Sequence, residues 1–258
     1  MTCALDIQDL QLVQGNRTLA KRFSLQIERG EKIGITGPSG CGKTTLVRSV
    51  IRGSLPVGSA ATRFDLDRAN LSLAYSSQRG GLMPWYTVGQ NLQVLCGSKL
   101  SRHLSMDNRL ATIVTVFGLG NIINSYPPEL SGGEHQRLSL AIALFRNADF
   151  ILVDEPLTGV DMDIKYRIIQ YLYENVFLSD KTMLLISHDT DILTLLCNRI
   201  VFMREDNSTQ LGLSLKDKPT CAHIDDFLYG EHRQYADQKR HELLQHILTN
   251  AESKSSCG

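Results

Sequence analysis

The sequence lacks several features that would identify common classes of protein. It has no excess of either charge, since Lys and Arg number 27 and Asp and Glu also number 27, and it contains no basic tract. We therefore expect no nucleic-acid partner. The sequence contains no run of eighteen or more apolar residues, so we expect no membrane-spanning helix. The first residues become polar too early for a signal peptide. If the protein serves a membrane, we expect it to dock there as a subunit.

The cysteines form no Cys-x-x-Cys pair and follow no regular spacing. We interpret them as reduced thiols of a cytosolic protein, rather than as a disulfide framework or zinc ligands. A length of 258 residues and a hydrophobic content of 42% fit one large domain, alone or with appendages. The six cysteines are Cys3, Cys41, Cys96, Cys197, Cys221 and Cys257.

The most informative stretch begins at Gly37 and fits the G-x-x-x-x-G-K-[ST] pattern of a phosphate-binding loop. A short apolar strand precedes it and a helix is predicted to follow, which a glycine-rich turn with a chance lysine would not explain. Glycines let backbone N–H groups point at phosphate oxygens, and the helix N-terminus adds partial positive charge. Lys43 would reach the β- and γ-phosphates, and the Thr44 hydroxyl would hold Mg²⁺. The predicted nucleotide-binding residues of this loop are Gly37, Pro38, Ser39, Gly40, Cys41, Gly42, Lys43, Thr44 and Thr45.

Strand and helix patterns alternate around this loop. Residues 4–29 alternate apolar and polar stretches, as half-buried antiparallel strands do. Residues 80–144 are mostly helical in pattern, and continuous apolar runs at 150–153 and 183–186 are typical of buried parallel strands. The sequence therefore predicts an α/β fold with a mainly parallel sheet.

Two carboxylates follow the first of those buried strands. Asp154 lies where a Walker-B carboxylate would hold Mg²⁺, directly or through water. Glu155 comes next and could orient the attacking water or accept its proton. An Asp-Glu pair alone would be interpreted as a solvated turn. The buried strand before it and the phosphate loop upstream favour a catalytic role instead.

A second anion site is predicted at the start of another helix. Ser131, Gly132 and Gly133 bring a hydroxyl and two glycine N–H groups to a helix N-terminus, with Ser131 as the N-cap, which suits a γ-phosphate. The stretch Leu-Ser-Gly-Gly-Glu at 130–134 resembles the signature motif of the ATP-binding cassette (ABC) ATPases. In that family the signature of one subunit completes the nucleotide site of its partner. The resemblance therefore implies two ATP molecules in a head-to-tail dimer of two copies.

Further motifs match the same family in order along residues 4–204. The resemblance gives Gln78 a role on the metal and the attacking water, although a polar strand end is the alternative interpretation. Residues 158–161 lie at the place of the D-loop and keep its aspartate, Asp161, and His188 matches the histidine that senses the γ-phosphate. The implied catalytic residues are Glu155, His188 and Gln78, and the implied metal ligands are Thr44, Gln78 and Asp154. The family fold is a P-loop NTPase with a parallel sheet core, an antiparallel β lobe and an α-helical lobe.

The resemblance also predicts the domain limits, and the sequence departs from the family pattern at three places. Residues 1–204 would form the nucleotide-binding domain, with the helical lobe inserted at about 80–145, and 205–258 a partly helical C-terminal extension. Gln14 stands where the family stacks the adenine on an aromatic residue, so base stacking is expected to be weak or supplied otherwise. Residues 58–70 lack the usual pattern, so the antiparallel lobe could be irregular there. Cys41 is either a tolerated small side chain or a thiol whose oxidation would block ATP binding.

One stretch predicts the machine that the ATPase drives. Residues 81–92 are similar to the Leu-x-Pro-Trp-x-Thr-Val-x-x-Asn pattern of bacterial nitrate, sulfonate and taurine importers, where this region receives a membrane subunit. Trp85 and Tyr86 would be anchors of that contact, although Trp85 could simply pack in the helical lobe. The implied partners are integral membrane permease subunits that dock near Gln78–Trp85, and a solute-binding protein. The implied location is the cytoplasmic face of the inner membrane.

A soluble ABC ATPase of an assembly system, such as iron–sulfur cluster biogenesis, is the alternative function. An inactive regulatory cassette conflicts with the presence of Lys43, Asp154, Glu155 and His188. Because an ABC ATPase subunit need not touch the cargo, its sequence does not identify the substrate.

Overall fold

The computed structural model describes residues 3–67, 70–77, 81–95, 108–203 and 211–214. Gln78, the turn predicted at 205–208 and the helices predicted at 226–248 lie outside these residues. The strands are β1 (Cys3–Gln14), β2 (Arg17–Glu28), β3 (Lys32–Thr36), β4 (Arg63–Leu66), β5 (Leu73–Ser76), β6 (Phe150–Asp154), β7 (Thr182–Ile186), β8 (Arg199–Phe202) and β9 (Leu211–Ser214). The helices are α1 (Lys43–Arg52), α2 (Val88–Leu95), α3 (Asn108–Val116), α4 (Gly132–Phe145), α5 (Met162–Leu172) and α6 (Thr190–Leu196).

The strands form two sheets, as the predicted fold class requires. The larger sheet has the order β5-β6-β7-β3-β8-β9, and its first five strands are parallel. The smaller sheet, β2-β1-β4, is antiparallel. Among the described residues no helix is long and apolar enough to cross a bilayer.

Side chains of the parallel strands alternate between two apolar clusters. Ile151 and Val153 of β6 face a cluster built with helices α2 to α6, whereas Phe150 and Leu152 face α1 and the antiparallel sheet. Both faces of β6 are buried along its whole length. This explains why the continuous apolar runs in the sequence predicted these strands correctly.

The structure differs from the sequence prediction in three elements. The antiparallel lobe is completed by the short strand β4 and a bridge from Gln11 to Ala60, in the segment expected to be irregular. The helix predicted at 161–178 is α-helical only to Leu172 and continues as a π-helical turn, Tyr173–Phe177. Strand β9 was not predicted, and it pairs antiparallel with β8. The division of the chain at residue 204 stays a prediction.

Candidate nucleotide-binding and catalytic site

The phosphate loop joins the carboxyl end of β3 to the first turn of α1. Gly37, Gly40 and Gly42 have φ values of 145°, 83° and 104°, a region that side chains disfavour. At Gly37 a Cβ atom would lie 2.2 Å from the carbonyl oxygen of Met203, so close packing against the end of β8 also requires glycine. Gly42 is the N-cap of α1 and has no side chain to cap the first turn, which leaves its N–H groups for an anion.

Lys43 folds back over this loop. Its Nζ donates hydrogen bonds to the carbonyl oxygens of Gly37 at 2.7 Å and Pro38 at 2.8 Å, and it lies 3.9 Å from Sγ of Cys41. Lys43 and Cys41 are both buried. The loop therefore places an ammonium group beside backbone N–H groups, which is a site for a polyphosphate.

Asp154 ends β6 as a buried carboxylate. The residue is 1% exposed, and neither carboxylate oxygen accepts a full hydrogen bond. Burial raises the pKa of Asp154, while the Thr44 hydroxyl and the charges of Arg48 and Lys43 lie close enough to offset part of that rise. Buried oxygen ligands of this kind suit a small, hard cation. Among the described residues no group of three or more His, Cys, Asp or Glu side chains is arranged to hold a metal ion.

Glu155 is held by its backbone in an unusual conformation. Its φ is 50°, and its N–H donates to the Ile186 carbonyl oxygen at 3.0 Å, at the end of β7. The side chain accepts a hydrogen bond from Thr158 Oγ1 at 3.3 Å and lies 3.5 Å from Nε2 of His188. Burial raises the pKa of Glu155, and the charge of Asp154 adds to the rise, although His188, Thr158 and Lys43 oppose it. A carboxylate with a raised pKa is a better proton acceptor.

His188 lies in the turn after β7, and contacts of its neighbours Ser187 and Asp189 fix that turn. Its side chain is 44% exposed and faces Glu155. Its neighbour Asp189 forms an ion pair with Lys165 of α5, and the Asp189 N–H donates to Ser187 Oγ at 3.0 Å. These contacts fix the turn after β7, and the imidazole of His188 lies beside the Glu155 carboxylate.

The predicted signature residues lie at the N-terminus of α4. As predicted, Ser131 is the N-cap, and it forms a capping box with Glu134. A Cβ on Gly133 would lie 2.8 Å from the carbonyl oxygen of Gly159, so this turn packs directly on the predicted D-loop. The groove here has a volume of about 660 Å³. It is lined by Leu130, Gly132, Gly133, His135, Gln136, Thr158 and Gly159.

The structure therefore separates the predicted site residues into two groups. Lys43, Asp154, Glu155 and His188 meet at the carboxyl ends of β3, β6 and β7, whereas the lining of the α4 groove includes no phosphate-loop residue. The predicted D-loop touches both groups, because Thr158 bonds Glu155 while Gly159 packs on Gly133. Gln14 lies at the end of β1, paired with Arg17 of β2, and its role toward a base stays a prediction.

Sequence reasoning missed Arg48 and Tyr75. Arg48, on α1, lies close enough to Tyr75 of β5 to lower the pKa of that phenol against the effect of burial, and its charge also acts on Asp154. Both side chains line a cavity of about 260 Å³ between α1, β5 and α4. A basic residue one turn after the phosphate loop is the only signal in the sequence, and it is too general to identify the contact.

The predicted docking stretch presents its aromatic residues at the surface. Trp85 is 68% exposed and contacts Tyr86 edge to face, with ring centroids 6.3 Å apart. Asn91 of α2 is fully buried, and its amide donates to the carbonyl oxygens of Met83, Tyr86 and Thr87 at 2.9–3.0 Å. The loop is therefore held in shape, and Trp85 is not a packed core residue of the helical lobe in this chain.

Comparisons with known proteins agree with this geometry. The family model described as ABC transporter matches residues 20–158. An aliphatic sulfonates import ATP-binding protein, SsuB 2 of Burkholderia lata, is 31% identical over 208 residues, which cover 78% of this chain and 73% of that protein. The thiamine import ATP-binding protein ThiQ of Escherichia coli is 29% identical over 194 residues, 72% of this chain and 83% of that protein.

The fold also matches a solved structure, the dimeric ATP-binding cassette MJ0796 bound to ADP and Pi. The TM-score is 0.66, with 22% identity over 82% of this chain and 99% of that one, which supports the fold alone. The family model, by contrast, spans more than half of the present chain, and the Burkholderia relative matches it along most of its length. The chain therefore belongs to the ABC transporter family, as an ATPase of that family.

Proposed function

We propose that this chain is the ATP-hydrolysing subunit of a bacterial solute importer and that it works as a head-to-tail dimer. The observation that carries the catalytic part is the convergence of Lys43, Asp154, Glu155 and His188 at one edge of the parallel sheet. The relatives are named as import ATP-binding proteins for sulfonates or thiamine, which supports import rather than assembly of other macromolecules.

The residues of one copy divide the chemistry between them. The loop from Gly37 to Thr45 and the Lys43 ammonium bind the phosphates of ATP, and Glu155 accepts the proton of the attacking water. His188 lies beside Glu155 and contacts the γ-phosphate, with Gln78 completing the set by resemblance. Thr44 and Asp154, with Gln78, hold Mg²⁺, which when bound neutralises charge on the phosphates. The unpartnered oxygens of Asp154 fit this assignment.

The second group of residues acts on the partner copy. Ser131, Gly132 and Gly133 at the N-terminus of α4 bind the γ-phosphate of the ATP held by the other subunit. The α4 groove lies beside Thr158 and Gly159, so closure of the dimer reaches Glu155 through the Thr158 hydrogen bond. ATP then closes the dimer and phosphate release opens it, because the two states bind ATP and ADP differently.

The partner outside the dimer is a permease at the cytoplasmic face of the inner membrane, with a solute-binding protein in the same complex. The supporting feature is the Trp85–Tyr86 pair on a loop that Asn91 fixes in place. A large, exposed aromatic side chain on a preformed loop has the character of an interface anchor.

The test is a pull-down of the Glu155→Gln protein from detergent-solubilised membranes with ATP and Mg²⁺, identified by mass spectrometry. We expect a multi-span permease to co-purify with Glu155→Gln and to be lost when Trp85→Ala is added. Val57→Ala is the matched control, since Val57 is 98% exposed but lies outside the docking stretch. Recovery of a soluble assembly factor without a permease would refute the importer assignment, and equal recovery with and without Trp85 would refute the docking site.

A further inference from the structure

One anion-binding donor of the second site, the Ser131 hydroxyl, is already engaged within the chain. Oε2 of Glu134 accepts a hydrogen bond from the Ser131 N–H at 2.9 Å and from the Ser131 hydroxyl at 2.7 Å. The Glu134 N–H in turn donates to Ser131 Oγ at 3.3 Å. The Glu134 carboxylate therefore occupies the Ser131 hydroxyl, which in the proposed function binds the γ-phosphate of the partner's ATP.

The groove beside this contact has the character of a ligand site rather than of a helix end alone. Gln136 is 7% exposed and lines the groove, yet its buried Oε1 accepts no hydrogen bond. Nδ1 of His135, also buried in the groove wall, has no partner either. Buried polar atoms without partners are uncommon and point to a group that arrives from outside the chain.

A phosphate and the Glu134 carboxylate cannot use Ser131 at the same time. Both are acceptors for the same hydroxyl, and both are negative, so a phosphate that approaches Ser131 is repelled until the carboxylate leaves. The side chain of Glu134 is 28% exposed, which gives it a route to water. Arg137 Nη2 lies 4.0 Å from its other oxygen and offers a second partner, while Nη1 of the same guanidinium is fixed on the carbonyl oxygens of Phe117 and Gly118.

We propose that Glu134 is a displaceable carboxylate that competes with the γ-phosphate of the partner's ATP for Ser131, and so sets the ATP concentration at which two copies close. This inference rests on the proposed head-to-tail dimer. Each closed dimer displaces two Glu134 side chains, so the competition acts on both nucleotides. It opposes closure without altering the phosphate loop that first binds ATP.

Glu134→Gln separates this competition from simple helix capping. A glutamine can still accept from the Ser131 N–H and keep the capping box, but it removes the charge and the charge-assisted hydrogen bonds. We expect dimer formation in the Glu155→Gln background to need about tenfold less ATP when Glu134→Gln is added, which corresponds to ~1.4 kcal/mol. The measurement is light scattering after size exclusion across an ATP titration with Mg²⁺.

Glu129→Gln is the matched control. Glu129 is an exposed carboxylate in a similar local contact, where its Oε2 accepts from the Tyr126 N–H at 2.8 Å, but it does not touch Ser131. We expect this variant to dimerise like its parent. Glu134→Ala, which also abolishes the capping box, should shift dimerisation in the same direction as Glu134→Gln even if its thermal midpoint falls.

The outcomes separate the two proposals. If the parent Glu155→Gln protein dimerises with ATP but both Glu134 substitutions leave the ATP requirement unchanged or raise it, competition at Ser131 is wrong while the dimer stands. If neither the parent nor the Glu134 variants dimerise at any ATP concentration, the proposed dimer itself fails, and this inference fails with it.

Discussion

Replacing Asp154 by asparagine should stabilise the protein without nucleotide while it abolishes Mg²⁺-dependent ATP binding. The reason is the environment of the carboxylate, which is 1% exposed and has two oxygens that accept no full hydrogen bond. Burial disfavours the charged form and raises the pKa of Asp154. Asparagine keeps the size of the side chain and removes the buried charge.

The expected size of the effect follows from the raised pKa, since each tenfold increase in the proton affinity of Asp154 corresponds to about 1.4 kcal/mol that the ionised carboxylate costs and asparagine does not. For a protein of this length, each kcal/mol raises the thermal midpoint by roughly 2–4 °C, so Asp154→Asn should melt several degrees higher in buffer with EDTA. The folded state holds the Asp154 proton more tightly than the unfolded state does. Wild type therefore loses stability as the pH rises through the raised pKa, and the advantage of Asp154→Asn should shrink as the pH falls through that value.

Asp149→Asn is the control of opposite sign, since Asp149 lies just before the same strand but is well bonded. Its Oδ2 accepts from the Ser72 N–H at 2.9 Å and from the Ser72 hydroxyl at 2.5 Å, and these bonds lower the pKa of Asp149. Asp149→Asn should therefore destabilise slightly. Calorimetry from pH 5 to 8, with EDTA and then with ATP and Mg²⁺, measures both variants. An Asp154→Asn protein that is less stable than wild type at pH 8 in EDTA would refute the reasoning.

Two further predictions concern the catalytic edge and the α4 turn. Glu155→Gln should hydrolyse ATP at least about a hundredfold more slowly, and near-normal turnover of this variant would remove Glu155 from the catalytic role. Because burial raises the pKa of Glu155, wild-type activity should fall with decreasing pH through a pKa above that of an ordinary glutamate. Gly133→Ala should cost about 1–3 kcal/mol of unfolding free energy, because its Cβ would meet the Gly159 carbonyl oxygen at 2.8 Å, whereas Gly132→Ala, with nothing within 4 Å, should unfold like wild type in urea. Equal losses in the two glycine variants would contradict the packing argument.

Local signals in the sequence explain which parts of the fold were predictable. Ser131 was predicted as an N-cap because serine is favoured at the start of a helix, and the capping box that the structure shows there depends on only four residues. The buried strands at 150–154 and 182–186 were predictable because both of their faces are covered. Strand β9 was not, since Leu-Gly-Leu-Ser is a weak strand signal and its strand conformation is seen in its pairing with β8.

The residues of the candidate site were predictable from the sequence, but their burial and hydrogen-bond partners were not. Motif spacing placed Lys43, Asp154 and His188 on loops after strands, and the parallel order of β3, β6 and β7 brings those loops together. No spacing could show that the Asp154 carboxylate is buried with so few hydrogen-bond partners, because that depends on side chains from separate elements. The same holds for the contact between Arg48 and Tyr75, which joins α1 to β5.

The unfavourable features of the structure concentrate at the edge where ATP is proposed to bind. Glu155 adopts φ 50° there, and the phosphate-loop glycines adopt conformations that other residues avoid. Asp154 is buried without full hydrogen bonds, and Lys43 uses carbonyl oxygens of its own loop. In the proposed complex, ATP with Mg²⁺ would supply a counterpart to each charged group, since the cation would lie against Asp154 and the phosphates against Lys43. Binding should therefore stabilise the ends of β3, β6 and β7 together. We expect this stabilisation to extend from the phosphate loop to Glu155 and, through Thr158 and Gly159, to the start of α4.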